Sequence, residues 1–175
     1  MKKAMVTITI LSAICTVVSF CLYKISENNV ILAAAITFGT TAYHFFMRLS
    51  VGFIFNKTIN NRTDYRKGWY QCRAWERKLY ERLNVKHWKG IMPTYDTSLF
   101  DYTKHSWDEI AQASCQSELV HETIILLSFV PILFSIWFGA IMVFIITSIL
   151  AALFDLTFVV MQRYNRPRII RMIGR

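Results

Sequence analysis

Four long apolar runs constrain this chain more than any other feature of its sequence. They cover about residues 5–23, 30–55, 119–136 and 140–161. A helix needs roughly 20 apolar residues to cross a bilayer, and inside lipid the backbone must form its own hydrogen bonds. The sequence therefore predicts an all-α integral membrane protein with about four transmembrane helices.

The first run and the last two each need a further decision. The first follows Lys2 and Lys3, as a signal peptide would, but no small-x-small cleavage site follows it, so we predict a retained span. The stretch 120–161 is about twice as long as one span and predicts a helical hairpin. We expect its turn near Trp137 to Gly139, because glycine permits a bend, and a kink at Pro131.

The basic residues are concentrated in two segments, and this sets the predicted orientation. Lys and Arg number 20 against 11 acidic residues, and most lie in the 57–118 loop or the 162–175 tail. Because basic loops stay in the cytoplasm, we predict one membrane domain, residues 1–175, with a cytoplasmic loop and tail and both termini inside. Basic segments that alternate with apolar ones favour membrane lipids as partners and not nucleic acid.

The 57–118 loop is too long for a plain connection, and loops of this length usually carry function. We predict a helix capped by Thr63 or Asp64 and running to about Leu83. One face would be apolar and the other basic: Trp69, Cys72, Trp75, Leu79 and Leu83 against Arg66, Lys67, Arg73, Arg77, Lys78 and Arg82. An amphipathic cytoplasmic helix of this kind is either an anchor in the headgroup layer or a wall of a lipid-substrate groove.

The end of the loop carries two further signals. Gly90 and Pro93 are expected to break the loop helix. Ser106-Trp-Asp-Glu109 has the form of a capping box. We therefore predict that a helix begins at this box and runs into the third span.

Three polar groups are candidates for chemistry at the cytoplasmic side of the spans. Glu118 and His121 share a helix face, His44 and Arg48 lie four residues apart in the second span, and residues 162–168 follow the fourth. Histidine suits general-base catalysis and a carboxylate can orient it, while guanidinium groups suit phosphate. The plainer alternatives are an interfacial histidine, a tail that only anchors, and an Arg48 side chain that snorkels to the headgroups.

Asp155 adds a charge within the fourth span, about two turns from its cytoplasmic end. Acids inside a membrane are costly and usually functional. Asp155 would either pair with Arg48 or face a polar cavity, and with His44 and Arg48 it forms a possible intramembrane polar site. No zinc-ligand cluster and no nucleotide-binding fingerprint is visible, so we predict no metal and no bound cofactor.

Three motifs carry a resemblance to a known family. They are Trp69-Tyr-x-x-Arg73 leading to Val85-Lys-His-Trp-Lys-x-x-x-Pro93, then Glu118-Leu-Val-His121 with Pro131 ten residues on, and Gln162-Arg-Tyr-Asn-Arg-Pro-Arg168. In these motifs, over most of residues 65–170, the chain resembles the small bacterial glycosyl-4,4'-diaponeurosporenoate acyltransferases, which acylate the sugar of a carotenoid. It departs from the family pattern at Asp155 and Thr157, where the family has Asn and Pro, and at Gln116, where it tends to have Arg.

The resemblance implies an O-acyltransferase of the bacterial cell membrane. The donor would be an acyl thioester, either acyl-CoA or acyl carrier protein, and the acceptor a lipid-linked sugar of a glycolipid or glycosylated carotenoid. His121 would be the catalytic base and Glu118 would orient it. The substrate-binding residues implied are Arg73, Trp88, Lys89, Gln162, Arg163, Asn165, Arg166 and Arg168.

Two other functions remain open from the residues. One is a methyltransferase similar to the isoprenylcysteine carboxyl methyltransferases, which are also small multi-span proteins with a basic, aromatic C-terminal end. The other is a non-enzymatic scaffold or lipid-binding subunit. Binding of S-adenosylmethionine would favour the first, whereas free replacement of Glu118 and His121 would favour the second.

Overall fold

A computed structural model describes residues 2–90 and 98–173, apart from the side chains at positions 89, 90 and 98. The helices are α1 (Lys2–Ser26), α2 (Asn29–Thr58), α3 (Ala74–Arg82), α4 (Trp107–Leu127), α5 (Ser135–Phe138) and α6 (Ile141–Ile173). Short 3-10 segments lie at Gly68–Tyr70, Val85–Gly90, Ser98–Phe100 and Val130–Phe134. The chain divides into unit 1 (Met1–Gly52 and Ile124–Leu153) and unit 2 (Phe53–Thr123 and Phe154–Arg175).

Within residues 2–90 and 98–173, four helical segments are long and apolar enough to cross a membrane. They are Lys2–Ser26, Asn29–Thr58, Trp107–Phe138 and Ile141–Ile173. The predicted all-α fold with four spans is therefore confirmed. The helices extend beyond the apolar runs because backbone hydrogen bonding continues where the side chains become polar.

The hairpin turn lies where the sequence predicts it. Helix α5 ends at Phe138, and α6 begins at Ile141. Gly139 and Ala140 both have positive φ, at 65° and 50°. A left-handed pair of residues reverses the chain abruptly, and glycine at the first position removes the steric cost there.

Pro131 interrupts the third span through a hydrogen bond that it cannot make. Helix α4 ends at Leu127, whose carbonyl would accept the N–H of residue 131 in a continuous α-helix, but proline has no N–H. The Tyr43 hydroxyl donates to this carbonyl instead, at 2.8 Å. A residue of α2 thus supplies the donor that lipid would not supply.

Small residues lie where the helices of unit 1 approach one another. Ser12, Thr40 and Ser148 are buried, and a Cβ at Gly39 would lie 3.3 Å from Thr16 Cγ2. Membrane helices pack through such residues because lipid gives large apolar side chains no advantage over small ones at an interface.

The loop helix ends as predicted, but its predicted start is wrong. Helix α3 runs from Ala74 to Arg82, and no cap forms at Thr63 or Asp64; Asp64 Oδ1 accepts the Arg66 N–H at 2.9 Å and stabilises a turn. The backbone is extended at Lys67 and Gln71. The predicted break at Pro93 lies outside the described residues.

Ser106 caps α4 as predicted. The Ser106 N–H donates to Glu109 Oε2 at 2.8 Å, and the Glu109 N–H donates to Ser106 Oγ at 3.3 Å. This reciprocal pair satisfies backbone donors at the first turn. The helix then continues through Glu118 and His121, which sets their position in unit 2.

Candidate active site

The Glu118 carboxylate is fully buried in unit 2 between two arginines of α6. Arg163 Nη1 donates to Glu118 Oε1 at 2.6 Å. Arg166 forms an ion pair with the other oxygen, Oε2. A buried carboxylate is stable only when it is paired and hydrogen-bonded, and here one guanidinium serves each oxygen.

Arg163 connects Glu118 to a second acid, Glu76 of α3. Its Nη2 lies 2.9 Å from Glu76 Oε1 and 3.1 Å from Oε2. The same guanidinium donates to the carbonyls of Trp69 (2.8 Å) and Gln71 (3.2 Å). These carbonyls point to an arginine and not along a helix axis, which explains why the segment before α3 is not α-helical.

Arg166 is 1% exposed, and both of its terminal nitrogens donate within the protein. Nη1 donates to the Tyr70 carbonyl at 2.8 Å and Nη2 to the Ser114 carbonyl at 3.1 Å. Its Cζ lies 5.3 Å from the centre of the Tyr70 ring. Burial, with the Cys115 thiol and the Glu118 carboxylate adding to it, raises the Tyr70 pKa to about 12, so the ring under Arg166 stays neutral.

A second polar pair joins α4 to α6. His121 Nδ1 lies 2.9 Å from Asp155 Oδ1. Asp155 is 1% exposed and the His121 side chain 21%. The His121 ring also stacks on Phe158, with centroids 4.5 Å apart and planes 7° apart. The imidazole is therefore held both by a hydrogen bond and by a flat aromatic contact.

The structure separates the two residues that the sequence paired. Glu118 is engaged by Arg163 and Arg166, whereas the carboxylate on His121 is that of Asp155. Three residues along a helix bring two side chains to one face, but the ionic partners decide which contact forms. By geometry, Asp155 and not Glu118 is the carboxylate positioned to orient His121.

The other predicted substrate-binding residues all belong to unit 2. Gln162 and Asn165 are partly buried, Arg168 is exposed and donates to the Tyr164 hydroxyl at 2.7 Å, and Trp88 is partly buried. Arg73 is exposed, and its backbone N–H donates to Glu76 Oε2 at 2.7 Å. The Lys89 side chain lies outside the described residues.

The predicted intramembrane residues divide between the units. His44 and Arg48 lie one turn apart on α2 in unit 1, with Arg48 Nη1 3.3 Å from the His44 carbonyl. Asp155 lies in unit 2. A shared site of all three stays a prediction.

Sequence reasoning missed Glu76 and Phe158. Glu76 lies four residues before Tyr80, and both side chains are buried on one face of α3. The many basic residues around Glu76 made this part of the helix look exposed in the sequence. Phe158 lies three residues after Asp155, hence on the same face of α6. That spacing was visible but does not by itself indicate a ring stacked on a histidine.

Cys72 is close to this network without being suited to nucleophilic chemistry. Burial raises its thiol pKa, and the Glu76 carboxylate raises it further. A protonated thiol is a poor nucleophile.

The motifs of unit 2 are those that a known family shares. The sequence model of the glycosyl-4,4'-diaponeurosporenoate acyltransferases matches residues 66–175, more than half of the chain. The chain belongs to this family. It is an acyltransferase, which sets aside the methyltransferase and scaffold interpretations. No curated protein and no solved structure matches it significantly.

Proposed function

We propose that this membrane acyltransferase moves a fatty acyl group from an acyl thioester to a hydroxyl of a glycosylated carotenoid or related glycolipid. The family description supports the glycosylated carotenoid as the first acceptor to test. The single observation that carries the mechanism is the His121–Asp155 contact at 2.9 Å.

Asp155 makes His121 a plausible base by fixing its tautomer. A carboxylate that accepts Nδ1–H leaves the lone pair on Nε2, the nitrogen that can receive a proton. His121 retains partial exposure while Asp155 is buried. The pair thus has one sheltered, orienting member and one member that a substrate can reach.

The proposed reaction balances without a cofactor. His121 Nε2 takes the proton of the acceptor hydroxyl as its oxygen attacks the thioester carbon. The new C–O bond forms, the C–S bond breaks, and the imidazolium returns the proton to the leaving thiolate. The products are the acylated sugar and a free thiol, either coenzyme A or the carrier protein.

Recognition of the donor phosphate falls on the exposed arginines. Arg163 and Arg166 are committed to carboxylates and carbonyls, so a phosphate would have to displace those partners. Arg73 and Arg168 are exposed and can form charge-assisted hydrogen bonds to phosphate. The cytoplasmic orientation of loop and tail, and a bacterial cell membrane as the location, are part of this proposal.

The test compares lipids from cells that make the glycosylated carotenoid acceptor and express wild type, His121→Ala or Asp155→Ala. We expect an acceptor heavier by one acyl group with wild type, and a loss of roughly 100-fold or more with His121→Ala, the usual contribution of a general base. For purified Asp155→Ala, kcat should fall while KM for the donor changes little, because the Nδ1–H of His121 loses its acceptor and no donor-binding group is removed.

His105→Ala is the matched control, since His105 is a partly exposed histidine beside the α4 cap. Each variant is normalised to its amount in the membrane. Equal product from His121→Ala and wild type would refute the catalytic role. No acylated lipid with wild type in a host that contains the acceptor would refute the proposed substrate.

A further inference from the structure

Unit 1 contains an apolar cavity of about 230 Å³ that the proposed chemistry does not use. Its walls come from α1, α2, the residues around Pro131, α5 and α6, and include the rings of Phe20, Phe134, Phe138 and Phe144. Pockets for small molecules are mostly apolar but usually include a few polar groups that orient the ligand.

The polar groups in this wall are already bonded within the protein. The Thr16 hydroxyl donates to the Ser12 carbonyl at 2.7 Å, that of Thr40 donates to the Ile36 carbonyl, and that of Tyr43 donates to Leu127. The hydroxyl protons in the cavity wall are therefore already donated within the protein. A hydrocarbon chain matches such a lining, whereas a sugar, a phosphate or a peptide does not.

We propose that this cavity holds the acyl chain of the thioester donor and limits its length. At about 230 Å³ the cavity holds a segment of a single hydrocarbon chain and is too small for a whole fatty acyl group. A flexible acyl chain can bend to fill such a space, whereas the rigid polyene of a carotenoid cannot bend. The inference rests on the proposed function, since only an acyl transfer brings a single chain to the protein.

Gly39 and Thr16 line the cavity together where α1 and α2 meet. A Cβ at Gly39 would lie 3.3 Å from Thr16 Cγ2. A larger side chain at Gly39 must therefore enter the cavity or displace Thr16. Phe144 is a buried part of the same wall, and its removal would enlarge the space.

The experiment measures the acyl-chain distribution of the product. Cells that contain the glycosylated carotenoid acceptor and an equimolar set of fed fatty acids of different length express wild type, Gly39→Leu, Phe144→Ala or Gly52→Leu. Gly52 lies on the same helix with nothing within 4 Å of its Cβ position, so Gly52→Leu is the matched control. Cellular uptake and activation are common to all four strains.

We expect Gly39→Leu to shorten the preferred chain and Phe144→Ala to lengthen it, with selectivity changing roughly 10-fold per methylene. Gly52→Leu should keep the wild-type distribution. If Gly39→Leu does not accumulate in the membrane, Phe144→Ala decides alone.

The inference is overturned if wild type makes the product and the cavity variants that accumulate in the membrane give the same distribution of acyl-chain lengths. That result is expected if a bilayer lipid fills the cavity. Wild type that forms no product overturns the proposed function, and this inference falls with it. The two failures are thus distinguishable.

Discussion

The two units stabilise their helices by different means. Apart from His44, the buried polar side chains among the described residues of unit 1 are the small hydroxyls Ser12, Thr40, Ser128 and Ser148. Hydroxyls in this unit bond mostly to backbone carbonyls. In unit 2 two carboxylates and two arginines form a connected ionic network, Glu76–Arg163–Glu118–Arg166. The same two helices, α4 and α6, contribute residues to both units.

The difference predicts where a single substitution costs most. Small residues and isolated hydroxyls can be exchanged with modest cost, because each contact stands alone. A buried ion pair fails as a whole when one partner is removed, because the other is left charged and unpaired. The family match covers residues 66–175, which include the whole of this ionic network.

The largest expected effect comes from removing Glu118. Glu118→Ala would leave Arg163 and Arg166 without their shared carboxylate, at a cost of about 3–5 kcal/mol. We expect most of the folded protein to be lost, measured as the detergent-solubilised fraction that survives heating.

Glu81→Ala is the control for that experiment, since Glu81 is an exposed acid on α3. It should behave as wild type. A Glu118→Ala variant as heat-resistant as the control would show that the network does not stabilise unit 2.

An intermediate effect is expected in unit 1 from Tyr43→Phe. The change removes the hydroxyl that donates to the Leu127 carbonyl, which Pro131 cannot satisfy. An orphaned buried carbonyl costs about 1–3 kcal/mol, so the melting temperature in detergent should fall.

The second substitution Pro131→Ala sharpens this test. Alanine restores a backbone N–H that can donate to Leu127, so in the Pro131→Ala background the added Tyr43→Phe change should cost clearly less. Equal costs in both backgrounds would show that the hydroxyl acts by another contact.

The smallest expected effect is at the start of α4. Ser106→Ala removes half of the capping box with Glu109, at a typical cost of about 1 kcal/mol. The expected result is a slightly lower melting temperature with the product distribution unchanged.

Ser106→Asp provides the contrast, because aspartate also caps helices well and should restore stability. A loss with both variants would assign Ser106 a contact beyond the cap.

Much of the fold could be predicted from the sequence because it depends on local residue patterns. The four spans, the Gly139 turn, the Pro131 interruption and the Ser106 cap each depend on residues adjacent in sequence. The start of α3 was not readable, since the carbonyls of Trp69 and Gln71 are drawn to Arg163. Local propensity predicted a longer helix, and a contact more than 90 residues away in sequence overrode it.

The sequence identified residues of the candidate site but did not predict which of them contact one another. His121, Glu118, Arg163 and Arg166 all lie in unit 2, as motif and helix spacing suggested. Which carboxylate faces His121 depends on the relative rotation of α4 and α6. The periodicity of a single helix does not give that rotation. The sequence therefore identified Asp155 as a charge within a span without identifying His121 as its partner.

The Glu76–Arg163 contact has a consequence for biosynthesis. Arg163 follows Glu76 by 87 residues. Ribosomes add about 5–20 residues per second, so Arg163 is synthesised on the order of ten seconds after Glu76. The ionic network can therefore form only after α6 has been synthesised. A chain that ends before Arg163 contains Glu76 and Glu118 without their arginine partners. Quality-control proteases can distinguish such a chain from the complete enzyme.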